Sequence, residues 1–296
     1  MTGPAGCLQG RVAVVTGAAR GLGAAVAREL GSRGVTVALL GREEAGLARV
    51  RDSLPGRAQC WEVDVADEAG MARAADDVRE RLGPASIVVA NAGLAEGGPF
   101  AGSDPATWRR VIEVNLIGSS ITARVFLPHL LATRGYYLQI ASLASIGAAP
   151  MMSAYCASKA GVESFAHALR AELAHQHVGV GIGYMNWTET DMIRDADRQP
   201  VLRELRAHMP RPARKVYPAK TVARRMVRAV ERRSAAVYAP GWLRAAQLVR
   251  AAMPPVVTAY SKRELPRLER DAPFEATGLL GAGGRADTVG RRGQDG

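Results

Sequence analysis

Short apolar, β-rich runs alternate with helical stretches along most of this chain, and no other feature restricts its fold as much. Arg11–Thr16 (RVAVVT), Thr36–Leu40, Ala58–Val63, Ser86–Ala90, Tyr136–Ala141 and Val178–Tyr184 predict strands. Gly21–Arg33, Glu43–Ser53, Asp67–Leu82, a long region near Pro105–Thr133 and Ser153–His175 predict the helices between them. Strands this uniformly apolar need cover on both faces, and helical crossovers impose parallel pairing. The expected architecture is α/β: one doubly wound parallel sheet of about seven strands flanked by helices. Past Tyr184 the pattern loosens. Helices are expected near Asp191–His208 and Ala219–Arg232, a strand at Ala235–Tyr238, and an amphipathic helix at Trp242–Met253 that Pro254–Pro255 ends. These elements form a C-terminal helical extension to a domain spanning residues 8–258. Residues 259–296 read as a basic, Gly-rich tail, disordered from about residue 276, where little remains to bury.

Composition narrows the class further. The chain is 48% hydrophobic but only 5% aromatic, so its core is expected to be aliphatic. The opening residues show no apolar signal region, and no uninterrupted apolar run of about 18 residues predicts a membrane-spanning helix. Cys7, Cys60 and Cys156 are odd in number and widely scattered, which fits neither a disulfide frame nor a metal site. A reduced, cytoplasmic protein is the simplest expectation. The five histidines share no ligand spacing beyond the 175/177 pair, so no metal is expected. Charge is uneven: residues 1–193 carry 17 Lys+Arg against 18 Asp+Glu, and residues 194–296 carry 22 against 10. That excess is either an Arg-biased, solvated face or a surface for anionic lipid or an acidic carrier; no nucleic-acid partner is expected.

Between the first strand and the first helix stands TGAARGLG (Thr16–Gly23), with Gly17, Gly21 and Gly23 and with Leu22 inside the turn. Side-chain-free backbone at a helix N-terminus is what a pyrophosphate needs, because bare N–H groups and the helix dipole both favour its charge. A dinucleotide site that accepts a free 2′-hydroxyl places an acid at the end of the second strand. Here that position is Gly41, followed by Arg42, and Arg20 lies inside the turn. Two cations and no acid favour a 2′-phosphate, hence NADP(H) over NAD(H).

In SAYCASKAGVESF (residues 153–165), Tyr155 and Lys159 fall at i and i+4 on one helix face, among small residues. A cation about 5 Å from a phenol supplies roughly 3 kcal/mol at an effective dielectric near 20. That is most of the approximately 4 kcal/mol needed to lower a Tyr by about three units. Lys159 is therefore expected to make the Tyr155 proton mobile near neutral pH. Ser142, at the end of a strand, sits at the carboxyl edge of the sheet, where its hydroxyl can donate to a substrate oxygen. Asn115 lies mid-helix, where Asn is a poor former, and its amide can hold a water linked to Lys159.

Taken together, TGAARGLG (16–23), DV (64–65), NAG (91–93), the Asn of VNLIG (Asn115), Ser142 and YCASK (155–159) resemble the short-chain dehydrogenase/reductase family, over about residues 11–192. The resemblance implies a Rossmann-like fold, an adenine bordered by Asp64 and Val65, and a cofactor cleft lined by Asn91, Ala92 and Gly93. It also implies a catalytic set of Asn115, Ser142, Tyr155 and Lys159, and a homodimer or homotetramer. Thr188 and Thr190 match the positions that meet the carboxamide. The usual Pro-Gly before them is replaced by Met185–Asn186. The activity so implied is NADPH-dependent interconversion of a ketone and a secondary alcohol on a lipophilic small molecule. Two other readings stand beside it: a non-catalytic nucleotide sensor, and a membrane- or carrier-docked reductase of an acyl or polyketide-like substrate, anchored by the Trp242–Met253 helix with Arg244 and Arg250 at its flank.

Overall fold

The computed structural model describes residues 8–271 and 273–292; Cys7 and the last residues of the tail, 293–296, lie outside the described residues. Seven strands form one sheet: β1 (Val12–Thr16), β2 (Thr36–Gly41), β3 (Ala58–Glu62), β4 (Ile87–Ala90), β5 (Tyr136–Ile140), β6 (Gly179–Met185) and β7 (Ala236–Ala239). Their order is β3-β2-β1-β4-β5-β6-β7, and every adjacent pair is parallel. Order reverses between β1 and β4, which opens a crevice at the carboxyl ends of those strands. The helices of the sheet are α1 (Gly21–Gly31), α2 (Glu44–Asp52), α3 (Glu68–Leu82), α4 (Pro105–Ile112), α5 (Gly118–Thr133) and α6 (Ser153–Leu173). Then follow α7 (Asp191–Arg198), α8 (Pro200–Ala207), α9 (Arg211–Arg214), α10 (Ala219–Glu231), α11 (Leu243–Leu248), α12 (Met253–Asp271) and α13 (Gly281–Arg292).

Local chemistry sets several boundaries. Asp67 caps α3 by accepting from the Gly70 amide at 3.0 Å, and Asp104 caps α4 ahead of Pro105. Between α4 and α5 a π-turn, Glu113–Ile117, keeps the helix continuous but shifts its register around Asn115. By length and composition this stretch, Pro105–Thr133, could cross a membrane, yet half of its most apolar window is buried inside the fold. It packs on β4, β5, α3 and α6 as a core helix.

Three expectations are corrected. Pro254 and Pro255 do not end a helix: they occupy the first turn of α12, where proline loses no hydrogen bond. The core is not purely aliphatic, since Tyr136, Tyr137, Tyr184 and Phe126 are among its largest fully buried side chains. Each tyrosine hydroxyl has a partner, at 2.6 Å to the Ser234 carbonyl for Tyr136 and 2.7 Å to Glu163 for Tyr184. Most consequentially, the tail is ordered well beyond residue 276. The Leu280 amide donates to Ala95 at 2.8 Å, Leu279 pairs with Glu96, and α13 places Asp287 in the interior, 1% exposed.

Candidate active site

The glycine turn is built against the loop after β4. A Cβ on Gly17 (φ +63°) would lie 2.8 Å from Ala92 Cα, and one on Gly23 would overlap the Gly17 carbonyl. Thr16 Oγ1 accepts from the amides of Asn91 (3.0 Å) and Ala92 (3.1 Å), and Asn91 Nδ2 donates to the Thr16 carbonyl at 3.0 Å. Gly21 (φ +54°) opens α1, with the Thr190 methyl 3.1 Å from where its Cβ would stand. The turn and helix N-terminus therefore present bare backbone, and the fit to a dinucleotide pyrophosphate is good. Leu22 is 4% exposed and packs into the core, so only its backbone faces the turn.

At the far end of the crevice Arg42, Asp64 and Arg110 line an open cleft of about 1400 Å³ that continues along β3 and α3. Val65 is buried under it, against Gly118. Both cations assigned to a 2′-phosphate are already paired. Arg20 binds Glu43, and Arg42 binds Asp287 and lies 3.6 Å from Asp64. Arg110, which no motif singles out, binds Asp64 and donates to both Asp287 oxygens at 2.8–3.2 Å. Burial opposes its charge, but the two carboxylates outweigh that and hold its pKa above the ordinary value.

The catalytic set converges. The Ser142 hydroxyl stands beside the Tyr155 phenol and favours its charged form, and Lys159 Nζ lies 5.7 Å from the phenol's ring centre while donating to the Ile140 carbonyl at 3.2 Å. Gly93 closes the group: a Cβ there would sit 3.2 Å from Asn115 Oδ1 and 3.6 Å from Lys159 Nζ. Asn115 differs from expectation. Its amide nitrogen donates to Leu94 O and Ser158 Oγ, both at 2.9 Å, and its oxygen accepts from Leu94 N at 2.7 Å. Its NH2 is spent on tying the β4 loop to α6 and is not free to donate to a water. Thr188 is likewise turned inward, 2% exposed and donating to the Asn186 carbonyl at 3.0 Å, whereas Thr190 reaches the glycine turn.

Electrostatics also correct the sequence reading. Burial raises the Tyr155 phenol above its ordinary pKa, only partly offset by Ser142. Burial lowers Lys159 from 10.5 to about 8. The cause is common: both groups have lost water, and at this separation the attraction between phenolate and ammonium does not recover the phenolate's desolvation. The resting pair is a protonated phenol beside an amine that titrates just above neutrality.

Two acids that no sequence motif marks support this geometry. Glu96 accepts from the Ala154 amide at 3.1 Å and so caps the helix that carries Tyr155. Glu163 is 3% exposed and accepts from Tyr184 (2.7 Å), Gln247 (2.8 Å) and Arg250 (2.9 Å). Only long-range contacts bury them. Glu96→Ala is expected to lower unfolding free energy by about 1 kcal/mol, as loss of a helix cap does; unchanged chemical denaturation would refute the cap.

A glycine turn at a switch point, a half-buried phenol beside a serine, and a lysine one turn away define a dinucleotide-dependent oxidoreductase. The chain belongs to the short chain dehydrogenase family, whose sequence model matches residues 11–200. Cis-4-hydroxycyclohexanecarboxylate dehydrogenase of Sinomonas cyclohexanicum is 34% identical over 187 residues, which is 62% of this chain and 75% of that protein. A Burkholderia phymatum short-chain dehydrogenase/reductase solved in complex with NAD superimposes with a TM-score of 0.72 at 26% identity, covering 82% of this chain and 93% of that one. A metagenomic short-chain oxidoreductase in complex with NADP gives 0.59 at 35% identity, covering 61% and 84%.

Proposed function

We propose that this protein is an NADPH-dependent carbonyl reductase, and in reverse an alcohol dehydrogenase, acting on a ketone or secondary alcohol of a lipophilic small molecule. The observation that carries the reading is the Tyr155 phenol: held protonated by burial, beside Ser142, and set against an apolar cluster that includes Ala95, Met152, Ala196 and Leu202. Bound NADPH supplies the hydride to the carbonyl carbon. Tyr155 gives its proton to the carbonyl oxygen, Ser142 steadies the charge developing there, and Lys159 returns a proton to the phenolate. Asn115 acts by position, holding Leu94 and Ser158 so that Lys159 and Gly93 face each other. A nucleotide sensor has no need of this arrangement. Following NADPH absorbance with a panel of apolar ketones tests the activity, and no consumption with any of them counts against it.

Preference for NADPH rests on Arg42, which follows Gly41 at the position where a 2′-hydroxyl site carries an acid. Arg42→Asp is expected to lower the preference for NADPH over NADH by about 10- to 100-fold, the worth of one charge-assisted contact, read as the ratio of the two KM values so that any common change in both cancels. An unaltered preference would remove this assignment.

The same proposal includes a reducing compartment and assembly into a homodimer or homotetramer. Cys60 and Cys156 are free, and Leu248, Val249 and Val256 are exposed on α11, its C-terminal flank and α12, which supports a contact between copies. Sedimentation that shows a monomer, or binding to anionic vesicles through this face, would overturn that contact.

A further inference from the structure

The C-terminal segment lies beyond the residues matched by the family model, which ends at 200. Its path is specific. Thr277 and Leu280 bond the loop just past Gly93, through Thr277 N to Gly97 O and Leu280 N to Ala95 O, both at 2.8 Å. Gly281 (φ +81°) then meets α7: its amide donates to Asp195 at 3.0 Å, and a Cβ would lie 2.9 Å from the Met192 backbone. From there α13 packs along α7, whose N-cap Thr190 stands against Gly21 of the glycine turn. Arg285 pairs with Asp195 and stands close enough to Arg20 to disfavour its charge. Asp287 ends the path on Arg42 and Arg110, beside Asp64. In order along the segment, these contacts lie at the β4 loop, at α7 beside Arg20 of the glycine turn, and at the ends of β2 and β3. A dinucleotide extended across the carboxyl edge of this sheet visits the same places in the same order.

We infer that α13 and the dinucleotide are alternative occupants of one groove, with the Asp287 carboxylate standing where the cofactor's adenosine-side charge or hydroxyls would bind. The inference rests on the reading of this groove as the cofactor site. The resting chain is capped by its own C-terminus, and cofactor binds only to the fraction of molecules from which α13 has lifted. Apparent affinity is reduced by that fraction for every dinucleotide alike. Loosening the helix therefore tightens NADPH and NADH by one common factor. A different result follows if Asp287 stays in place as part of the bound site. An acid repelling a 2′-phosphate would, on removal, tighten NADPH alone; an acid accepting from ribose hydroxyls would, on removal, weaken NADH.

The test uses two full-length variants. Asp287→Asn removes the charge that docks the helix. Gly281→Val strains its start against α7 without touching either arginine. NADPH and NADH dissociation constants are measured by fluorescence titration, and hydrogen exchange of the amides at 281–292 is followed with and without NADPH. The expected result is tightening of both dinucleotides by about tenfold in each variant, the worth of one charged contact, with faster exchange at 281–292 when NADPH binds wild type. Unchanged affinities, weakening, a shift for one dinucleotide only, or slower exchange would overturn the inference. If neither wild type nor variants bind either dinucleotide, the cofactor-site reading fails with it. If wild type binds as tightly as the variants, only the competition fails.

Discussion

Tyr155→Phe is expected to abolish reduction, lowering kcat by about 10³-fold, while the dissociation constant for NADPH stays nearly unchanged. The magnitude is that of a lost general acid in the transition state. The substitution removes one oxygen from a side chain that burial already keeps neutral, so packing and charge are preserved. Ser142 keeps the Ala144 amide, from which its hydroxyl accepts at 3.2 Å. Because the phenol is held above its ordinary pKa, the acid form persists through neutral pH. Reduction should run on a plateau there and decline only on the alkaline side. Stopped-flow and steady-state kinetics with titration of the same preparation separate the outcomes. A variant that loses NADPH binding along with turnover would make Tyr155 structural.

Lys159→Met carries the second large effect, in two opposite directions. Turnover falls because nothing returns a proton to the phenolate. Stability rises. Lys159 is 4% exposed, and burial takes its pKa from 10.5 to about 8. A depressed amine means that the unfolded chain binds the extra proton between those values, so the wild-type fold is penalised in full below about pH 8 and recovers as pH climbs to 10.5. The penalty is about 3 kcal/mol, less about 1 kcal/mol for the Ile140 carbonyl that loses its donor on substitution. Urea unfolding at pH 7 should thus show the variant more stable by about 2 kcal/mol, with the gap gone or reversed near pH 10.5. A destabilised variant at pH 7 would mean that Lys159 is held by a partner that outweighs its burial.

Much of the fold was legible because the residues that fix it act locally. Residues 13–15 and Ile87–Ala90 are apolar and buried on both faces, and only a helix-covered parallel sheet accommodates that. Gly17, Gly21 and Gly23 mark backbone that must come close to something, and the close approach to Asn91 and Ala92 is there. Tyr155 and Lys159 share a helix face by spacing alone. What could not be read depends on distance along the chain. Glu163 looks like any charged helix residue until Tyr184, Gln247 and Arg250 close over it. The direction of the Tyr155 shift needs the burial of both partners, which no spacing reveals. The tail was misread for a related reason. GAGGRADTVGRR has no apolar stripe, and α13 docks through glycine backbone, the Arg285 pair with Asp195, and the Asp287 carboxylate, joined to Arg42 across 245 residues of sequence. Neither the resemblance that places Thr188 nor the mid-helix position of Asn115 reveals their hydrogen bonds, which turn both side chains elsewhere.

Deuterium transfer tests the central claim most directly. Wild-type protein is incubated with NADPH deuterated at both positions of nicotinamide C4 and an apolar ketone, and the product is examined by mass spectrometry. The account predicts an alcohol bearing one deuterium on its carbinol carbon, formed by wild type and not by Tyr155→Phe. An alcohol without the label, or label incorporated equally well by both proteins, would contradict it.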